Sequence, residues 1–378
     1  MTVCKKIQLV IVGMGLIGPR HAAHVISNPD TELFAVIDPS ETGEKAAKAL
    51  NARYMKSISR MIEYCHSNAV PYPDGAIVCT PSATHVKIAA ELASYKINLL
   101  VEKPLSSSVE DSMALREYAT QQGIALLVGH HRRFNPFIIE TKNNLKEVGN
   151  IVAVQGTWAL QKNDSYFEAS PWRIEQKKGG GVILINLVHD IDILQYLFGP
   201  VDEVYASLLV KQRLEFPNAD EGAALVLKFK SGVCGTFICS DNVVSPFNFE
   251  SGTGENPTVP FHEGLEGFYR VFGSKGTLSI PDLNLYHQKT GGQGWLSPVI
   301  KESLISSKDS DLRLKLPFDL QLNHFVDVIR KESEPQCNAD DGISAILCVE
   351  AVTRSIETGL LQKVQDINSV KPNFNSLK

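Results

Sequence analysis

The sequence predicts two parts, an α/β Rossmann-type domain with a doubly wound parallel sheet and then an α+β domain with a large, mostly antiparallel sheet. Three observations predict this. The chain has 378 residues, enough for two domains with proper cores. Its first 130 residues alternate short, uniformly apolar runs with helical patterns, which is how strands covered on both faces by helices read. From about residue 150 the apolar runs lengthen and alternate, with turn signals between them, as in antiparallel sheet.

The strands expected in the first part are 7–12 (IQLVIV), 33–37 (LFAVI), 76–79 (AIVC), 97–101 (INLLV) and 124–128 (IALLV). Helical patterns lie near 18–27, 42–50, 84–95 and 108–122. In the second part IVAVQGTWAL, VDEVYASLLV, AALVLKFK and VCGTFICS read as strands, with Lys230-Ser231-Gly232 as a turn. A helix is expected over 182–198 and two more near 317–332 and 341–358. The segment 245–264, rich in Gly, Pro, Ser and Asn, is expected to be a long loop. The domain boundary is placed at 130/131, giving domains 1–130 and 131–378.

Composition excludes several classes. Hydrophobic residues at 43% and charged residues at 21% are ordinary for a globular chain and argue against disorder. A formal charge of −5 without a Lys/Arg stripe points away from nucleic acid and anionic membrane surfaces. No apolar run approaches membrane-spanning length. The opening MTVCKKIQLVIVG has two lysines before an apolar run, but Gly13 stops that run and no small-residue cleavage site follows, so a first strand is expected rather than a leader. The seven cysteines (4, 65, 79, 234, 239, 337, 348) are odd in number, form no C-x-x-C and in part sit in apolar runs, which suits thiols in the cytoplasm.

In IQLVIVGMGLIG, Gly13, Gly15 and Gly18 form G-x-G-x-x-G directly after a strand and at a helix start. Such glycines permit a tight turn, close approach of backbone to a pyrophosphate and close helix–strand packing, with phosphates on the helix N-terminus. Leu16 and Ile17 lie within the loop. Twenty residues beyond Gly18, Asp38 ends the strand LFAVID; a carboxylate there binds both adenosine ribose hydroxyls and repels a 2′-phosphate. NAD is therefore expected, and NADP is disfavoured. CTPSATH (79–85) ends another strand, where Thr80 or Ser82 can cap the next helix and Pro81 stiffen the turn; the same residues, with His85, would line a nucleotide crevice. Glu102-Lys103-Pro104 then places an acid, a base and a rigid residue at the end of the strand INLLV, either as a solvated strand end or as part of a site.

The ordered set of a Rossmann fingerprint, TPxxxH, EKP, GHHRRFNP (129–136), GGG (179–181) and a helical His189 resembles the Gfo/Idh/MocA oxidoreductases, the family of glucose–fructose oxidoreductase and inositol dehydrogenase. The motifs run from residue 7 to about 200. The resemblance implies that Lys103 lies beside the nicotinamide and takes the proton of a substrate hydroxyl while hydride leaves the same carbon, with His189 as its catalytic companion. It implies that Glu102 anchors the turn or the cofactor ribose. Trp172 and Arg173 are implied near the nicotinamide and substrate mouth, and Arg132, Arg133 and Asn135 as cleft wall or phosphate contacts. It also implies that the helix near 341–358 packs back on the first domain and that the open sheet face makes a homodimer or homotetramer.

One position departs from the pattern. Many relatives carry Asp four residues before the histidine; here Ile185 stands there and Asn186 follows, able to hydrogen-bond but not to act as a base. Asp192, at i+3 from His189, is a candidate orienter of the imidazole. His130-His131 and His21-x-x-His24 lack a convincing third ligand, so no metal site is expected. The function implied is NAD-linked oxidation of a secondary alcohol on a sugar, polyol or related cyclic compound, or its reverse. Two other readings of the same fold are a non-enzymatic NAD-binding transcriptional regulator and a glycosidase that uses NAD transiently.

Overall fold

The computed structural model describes residues 5–176, 179–216, 218–289, 291–292, 294–305 and 312–378. Cys4, one of the seven cysteines, lies outside them. The chain divides into two compact units: the residues up to His131 with Phe318–Ile346 and Asp366–Lys378, and Arg132–Pro317 with Leu347–Gln365.

The first unit is built on six strands, β1 (Ile7–Val12), β2 (Thr31–Ile37), β3 (Tyr54–Met55), β4 (Gly75–Val78), β5 (Asn98–Val101) and β6 (Leu126–Val128). Their order is β3-β2-β1-β4-β5-β6, and every pair is parallel. Helices α1 (Gly18–Ser27), α2 (Glu41–Ala49), α3 (Ile58–Asn68), α4 (His85–Ser94) and α5 (Val109–Gln122) connect them. The strands are uniformly apolar because both faces are covered: Leu9, Ile11, Val36, Ile77 and Leu100 share one core with Ala22 and Val25 of α1. Sequence reading missed β3 and α3. The signal for α3 was present, with Ser57 as a cap accepting from the Arg60 amide and Ile58, Met61, Ile62 and Cys65 buried at helical spacing.

The second unit begins with helix α6 (Pro136–Asn144), followed by β7 (Ile151–Ala159) and the short helix α7 (Asp164–Glu168). A π-helical turn, Ile183–Leu187, runs directly into α8 (Val188–Phe198). Then come β8 (Val201–Leu208), β9 (Gly222–Phe229), β10 (Cys234–Ser240), α9 (Phe249–Thr253), β11 (Tyr269–Gly273), β12 (Gly276–Ile280), β13 (Asn284–His287) and β14 (Ile300–Ser303). The chain returns to the first unit through α10 (Pro317–Ile329), whose Leu322, Phe325 and Val328 join the core around Leu9 and Ile77. Helix α11 (Ala339–Thr358) follows; its residues to Ile346 belong to the first unit and the rest to the second, as does the last strand, β15 (Gln362–Lys363).

The second sheet has nine strands in the order β14-β13-β12-β11-β7-β10-β9-β8-β15. It is antiparallel except for one pair. Strands β7 and β10 run parallel, with Cys234 opposite Ala153 and Ser240 opposite Ala159, so the chain leaves both at the same end of the sheet. The segment expected as a loop over 245–264 contains α9, whose cap Asn248 accepts a hydrogen bond from the Ser251 amide.

Candidate active site

In the first unit, the parallel register sets Val12 beside both Ile37 and Val78, and Val78 beside Val101. Gly13, Asp38, Thr80 and Glu102 therefore emerge at one carboxyl edge, where β1 and β4 diverge in direction of winding. The three loop glycines do different things. Gly13 has φ +94, and a Cβ on it would meet the Cys79 carbonyl at 2.9 Å. Gly18 opens α1 with the Gly13 carbonyl 2.0 Å from where its Cβ would be. A Cβ on Gly15 would meet nothing within 4 Å, so here the missing side chain leaves open space over the backbone. That cradle is what a pyrophosphate needs, and the residues fit a dinucleotide. Leu16 is exposed at the loop tip, while Ile17 packs on the core and forms the N-cap position of α1.

Asp38 is fixed before any ligand arrives. Its Oδ2 accepts the Met14 amide at 2.7 Å, and its Oδ1 accepts the amide and hydroxyl of Ser40 at 2.8 and 2.5 Å. Burial raises its pKa, but these hydrogen bonds outweigh it and the net shift is downward. A pre-oriented carboxylate thus stands at the end of β2, still with lone pairs for ribose hydroxyls.

Glu102 and His85 hold the neighbouring strand ends. His21 Nε2 donates to Glu102 Oε1 at 2.8 Å, and Glu102 Oε2 accepts the amide of Lys103 at 3.1 Å. Burial opposes the charge on Glu102, yet the His21 hydrogen bond and the nearby His21, His131 and Lys103 bring its pKa down to about 2. Lys103 is half-buried beside this anchored carboxylate. The side chain of His85 is buried, with Nε2 2.7 Å from the Thr80 carbonyl and Nδ1 2.9 Å from the Pro104 carbonyl. Both contacts would be hydrogen bonds only in the imidazolium, whereas burial, the larger influence, lowers its pKa. The ring ties the TPSATH turn to the EKP turn, and this bracing replaces the cofactor contact expected of its side chain. Neither Thr80 nor Ser82 caps α4; instead the Thr84 hydroxyl donates to the Pro81 carbonyl at 2.7 Å and lies 2.9 Å from Thr80 Oγ1.

In the second unit, His189 lies buried in the first turn of α8, one turn after Asn186 in the π-helical segment. Gly180 sits so close to the Trp172 and Arg173 carbonyls (2.5 Å for a Cβ) that only glycine fits, which seats this helix start on the 171–174 turn. Trp172 is exposed, and Arg173 is buried with its guanidinium over the Tyr166 ring and bonded to the Tyr166 carbonyl. Asp220 Oδ1 accepts the Ile183 amide at 3.0 Å, and burial pushes its pKa up to about 6. Asn186 Oδ1 accepts from Lys162 Nζ at 2.6 Å, a partner sequence reading did not single out.

Three expectations change here. The Arg133 guanidinium grips both oxygens of Asp192 at 2.7–3.1 Å. Asn135 is buried as the cap of α6, with its carbonyl oxygen on the Phe137 amide and its nitrogen on Thr253 and Glu255, which removes it as a substrate contact. Arg133, in its pair with Asp192, is equally withdrawn. Arg132 is buried among Glu255 at 2.9 Å, Glu250 at 2.7 Å and Asp190 at 3.4 Å, so it is an internal ion-pair centre rather than a phosphate contact. Helix α9 and its C-terminal flank supply those two glutamates. Burial, with Glu250 and Glu255 adding to it, pushes Asp190 up to about 7 against the pull of Arg132 and the Tyr269 hydroxyl. The paired histidines have non-metal partners, His21 on Glu102 and His24 on Asp319, with His131 stacked on Phe318. Among the described residues no group of three or more His, Cys, Asp or Glu is placed to hold a metal.

A dinucleotide cradle with an anchored acid, on a six-stranded parallel sheet, defines an NAD-binding oxidoreductase fold. Comparison with known proteins gives the family. Residues 7–130 match the model described as "Oxidoreductase family, NAD-binding Rossmann fold", and residues 142–365 match its "C-terminal alpha/beta domain". The chain belongs to the Gfo/Idh/MocA oxidoreductase family, and it is an NAD-dependent enzyme. It is 26% identical over 369 residues to myo-inositol 2-dehydrogenase of Thermotoga maritima, covering 95% of this chain and 99% of the relative. It is 24% identical to the NAD(+)-dependent scyllo-inositol 2-dehydrogenase of Bacillus subtilis, covering 94% and 95%. The fold is shared with the WlbA dehydrogenase of Bordetella pertussis in complex with NADH and UDP-GlcNAcA (TM-score 0.76, 22% identity, 96% and 99% covered). It is shared too with scyllo-inositol dehydrogenase of Lactobacillus casei with NAD(H) and scyllo-inositol (TM-score 0.74, 19% identity, 95% and 99% covered).

Proposed function

We propose that this enzyme oxidises a secondary alcohol of a cyclic polyol or sugar with NAD, or runs the reverse reduction. The inositol dehydrogenases among its relatives support the substrate class. The observation that carries the chemistry is the EKP turn, where a buried, ionised Glu102 held by His21 fixes the backbone of Lys103. Bound NAD supplies the hydride acceptor. The chain's own part is to take a proton: the neutral amine of Lys103 accepts it from the substrate hydroxyl as the carbon loses hydride, and the ammonium returns it in the reverse direction. His189, which has no aspartate four residues before it, positions the hydroxyl by a hydrogen bond. The test is a panel of inositols, sugars, uronates and hydroxy acids scored for NADH. Net accumulation of NADH supports the reading; transient use of NAD with glycoside cleavage, or NAD binding with no turnover, overturns it.

The cofactor preference follows from Asp38. Asp38→Ala is expected to weaken NAD(H) binding and to improve NADP(H) relative to it, because the carboxylate that repels a 2′-phosphate is gone. Fluorescence titration with both dinucleotides measures it; tighter NADP(H) binding by the wild-type protein refutes the role given to Asp38.

We also propose that the open face of the second sheet joins copies of the chain. Tyr205, Val226 and Ile238 are 41–50% exposed there, with Tyr205 directly opposite Val226, and exposed apolar side chains gathered on one sheet face suit an interface between copies. Val226→Glu with Ile238→Lys should convert a sedimenting dimer or tetramer to monomer. A wild-type protein that sediments as a monomer removes the proposal. The buried thiols of Cys65, Cys79, Cys239 and Cys348, none of them in a disulfide, suit a reducing compartment, and we place the enzyme in the cytoplasm.

A further inference from the structure

The parallel pairing of β7 and β10 brings two chain segments out side by side. Beyond the strand ends the Lys162 amide donates to the Asp241 carbonyl at 2.9 Å, and the Lys162 ammonium lies 3.5 Å from the Asp241 carboxylate. The Lys162 side chain is only 9% exposed, and its Nζ stands 4.5 Å from the centre of the Tyr166 ring. Asp241 is itself paired with Arg213. From this fixed position Lys162 donates to Asn186 Oδ1 at 2.6 Å.

An ammonium has donors and no acceptor, so the atom of Asn186 that faces it must be the carbonyl oxygen. The usual ambiguity between the two ends of an amide is therefore settled by chemistry. The amide nitrogen is turned away from Lys162. Asn186 is half-buried and lies three residues before His189, in the π-helical turn that runs into α8. An aspartate held in the same way would present an acceptor; this asparagine presents a donor.

We propose that Lys162 is a positioning residue that locks Asn186 as a hydrogen-bond donor toward the substrate. A hydroxyl oxygen can also accept from this donor, but a carboxylate accepts more strongly, so the site favours a ring compound that presents a carboxylate there over one bearing only hydroxyls. The proposal rests on the reading that His189 and Asn186 face the substrate.

The experiment compares glucuronate with myo-inositol, within the NADH panel, for wild type, Asn186→Asp, Asn186→Ala, Lys162→Met, Lys162→Arg and the double variant Lys162→Met/Asn186→Ala. Substrate affinity is measured in parallel by calorimetry on the NADH-loaded protein. Asn186→Asp keeps the Lys162 contact and replaces the outward donor by an acceptor, so the glucuronate-to-inositol ratio of kcat/KM should fall by about tenfold or more. Lys162→Met should raise the KM for glucuronate by about tenfold with kcat within about threefold, Lys162→Arg should restore much of it, and the double variant should be no worse than Asn186→Ala alone. Losses that multiply in the double variant, or an Asn186→Asp enzyme with an unchanged ratio, overturn the proposal while leaving the dehydrogenase reading intact. A wild-type protein that reduces NAD with no member of the panel overturns both.

Discussion

Lys103→Met is expected to lower kcat by a factor on the order of 10²–10⁴ while leaving NAD affinity nearly unchanged, the loss typical of removing a general acid–base group. The expectation comes from what surrounds the residue. His21 and the Lys103 amide occupy Glu102, and the nitrogens of His85 face the Thr80 and Pro104 carbonyls, so the turn keeps its shape when the amine is removed. Replacing the amine therefore subtracts chemistry and little structure. Lys103→Arg is nearly as severe, since a guanidinium does not give up its proton in the working pH range. His189→Gln retains a hydrogen bond and part of the rate. The pH profile of kcat/KM should follow a group that Lys103→Arg abolishes and His189→Gln leaves in place. A profile that loses its basic limb in His189→Gln and keeps it in Lys103→Arg would exchange the two roles, and wild-type turnover by Lys103→Met would make the EKP turn purely structural.

What the sequence made legible was local. The glycine loop, Asp38 and the EKP turn each lie at the end of a strand whose apolar run is unmistakable, and parallel pairing does the rest by bringing strand ends to one edge. The second unit was harder for a physical reason. Arg132 and Asn135 sit in a polar-looking stretch, and their partners Glu250 and Glu255 lie about 120 residues away by sequence number, in a segment whose composition reads as loop. Burial of a charge is decided by such distant partners, and no periodicity announces them. Likewise Lys162 meets Asp241 because β7 and β10 run parallel inside a sheet that alternation correctly marks as mostly antiparallel. Alternation reports which face is wet, not the direction of a neighbour.

The buried ion cluster yields the largest effect on stability. Arg132 is 2% exposed and faces Asp190, Glu250 and Glu255, which also hold the Tyr269 hydroxyl, the Trp158 indole nitrogen and Asn135. Arg132→Met leaves those carboxylates without their cation, and breaking a buried pair in this way costs about 3–5 kcal/mol, a large share of a typical stability of about 5–15 kcal/mol. The sign of its pH dependence can be worked out. Asp190 already has a folded-state pKa near 7, raised by burial from 3.8, so the folded protein holds more protons than the unfolded chain between those values. Its contribution to stability is therefore fully present below the unfolded pKa and is lost as pH rises through 7. Removing Arg132 takes away the cation that pulls Asp190 down, so its folded-state pKa rises further and the variant loses stability more steeply over this window. Urea unfolding at pH 5 and pH 8 should show a deficit clearly larger at pH 8, with NAD affinity of the folded variant close to wild type. An equal deficit at both pH values would mean that lost packing, not charge, is responsible; weakened NAD binding with unchanged stability would return Arg132 to the cofactor.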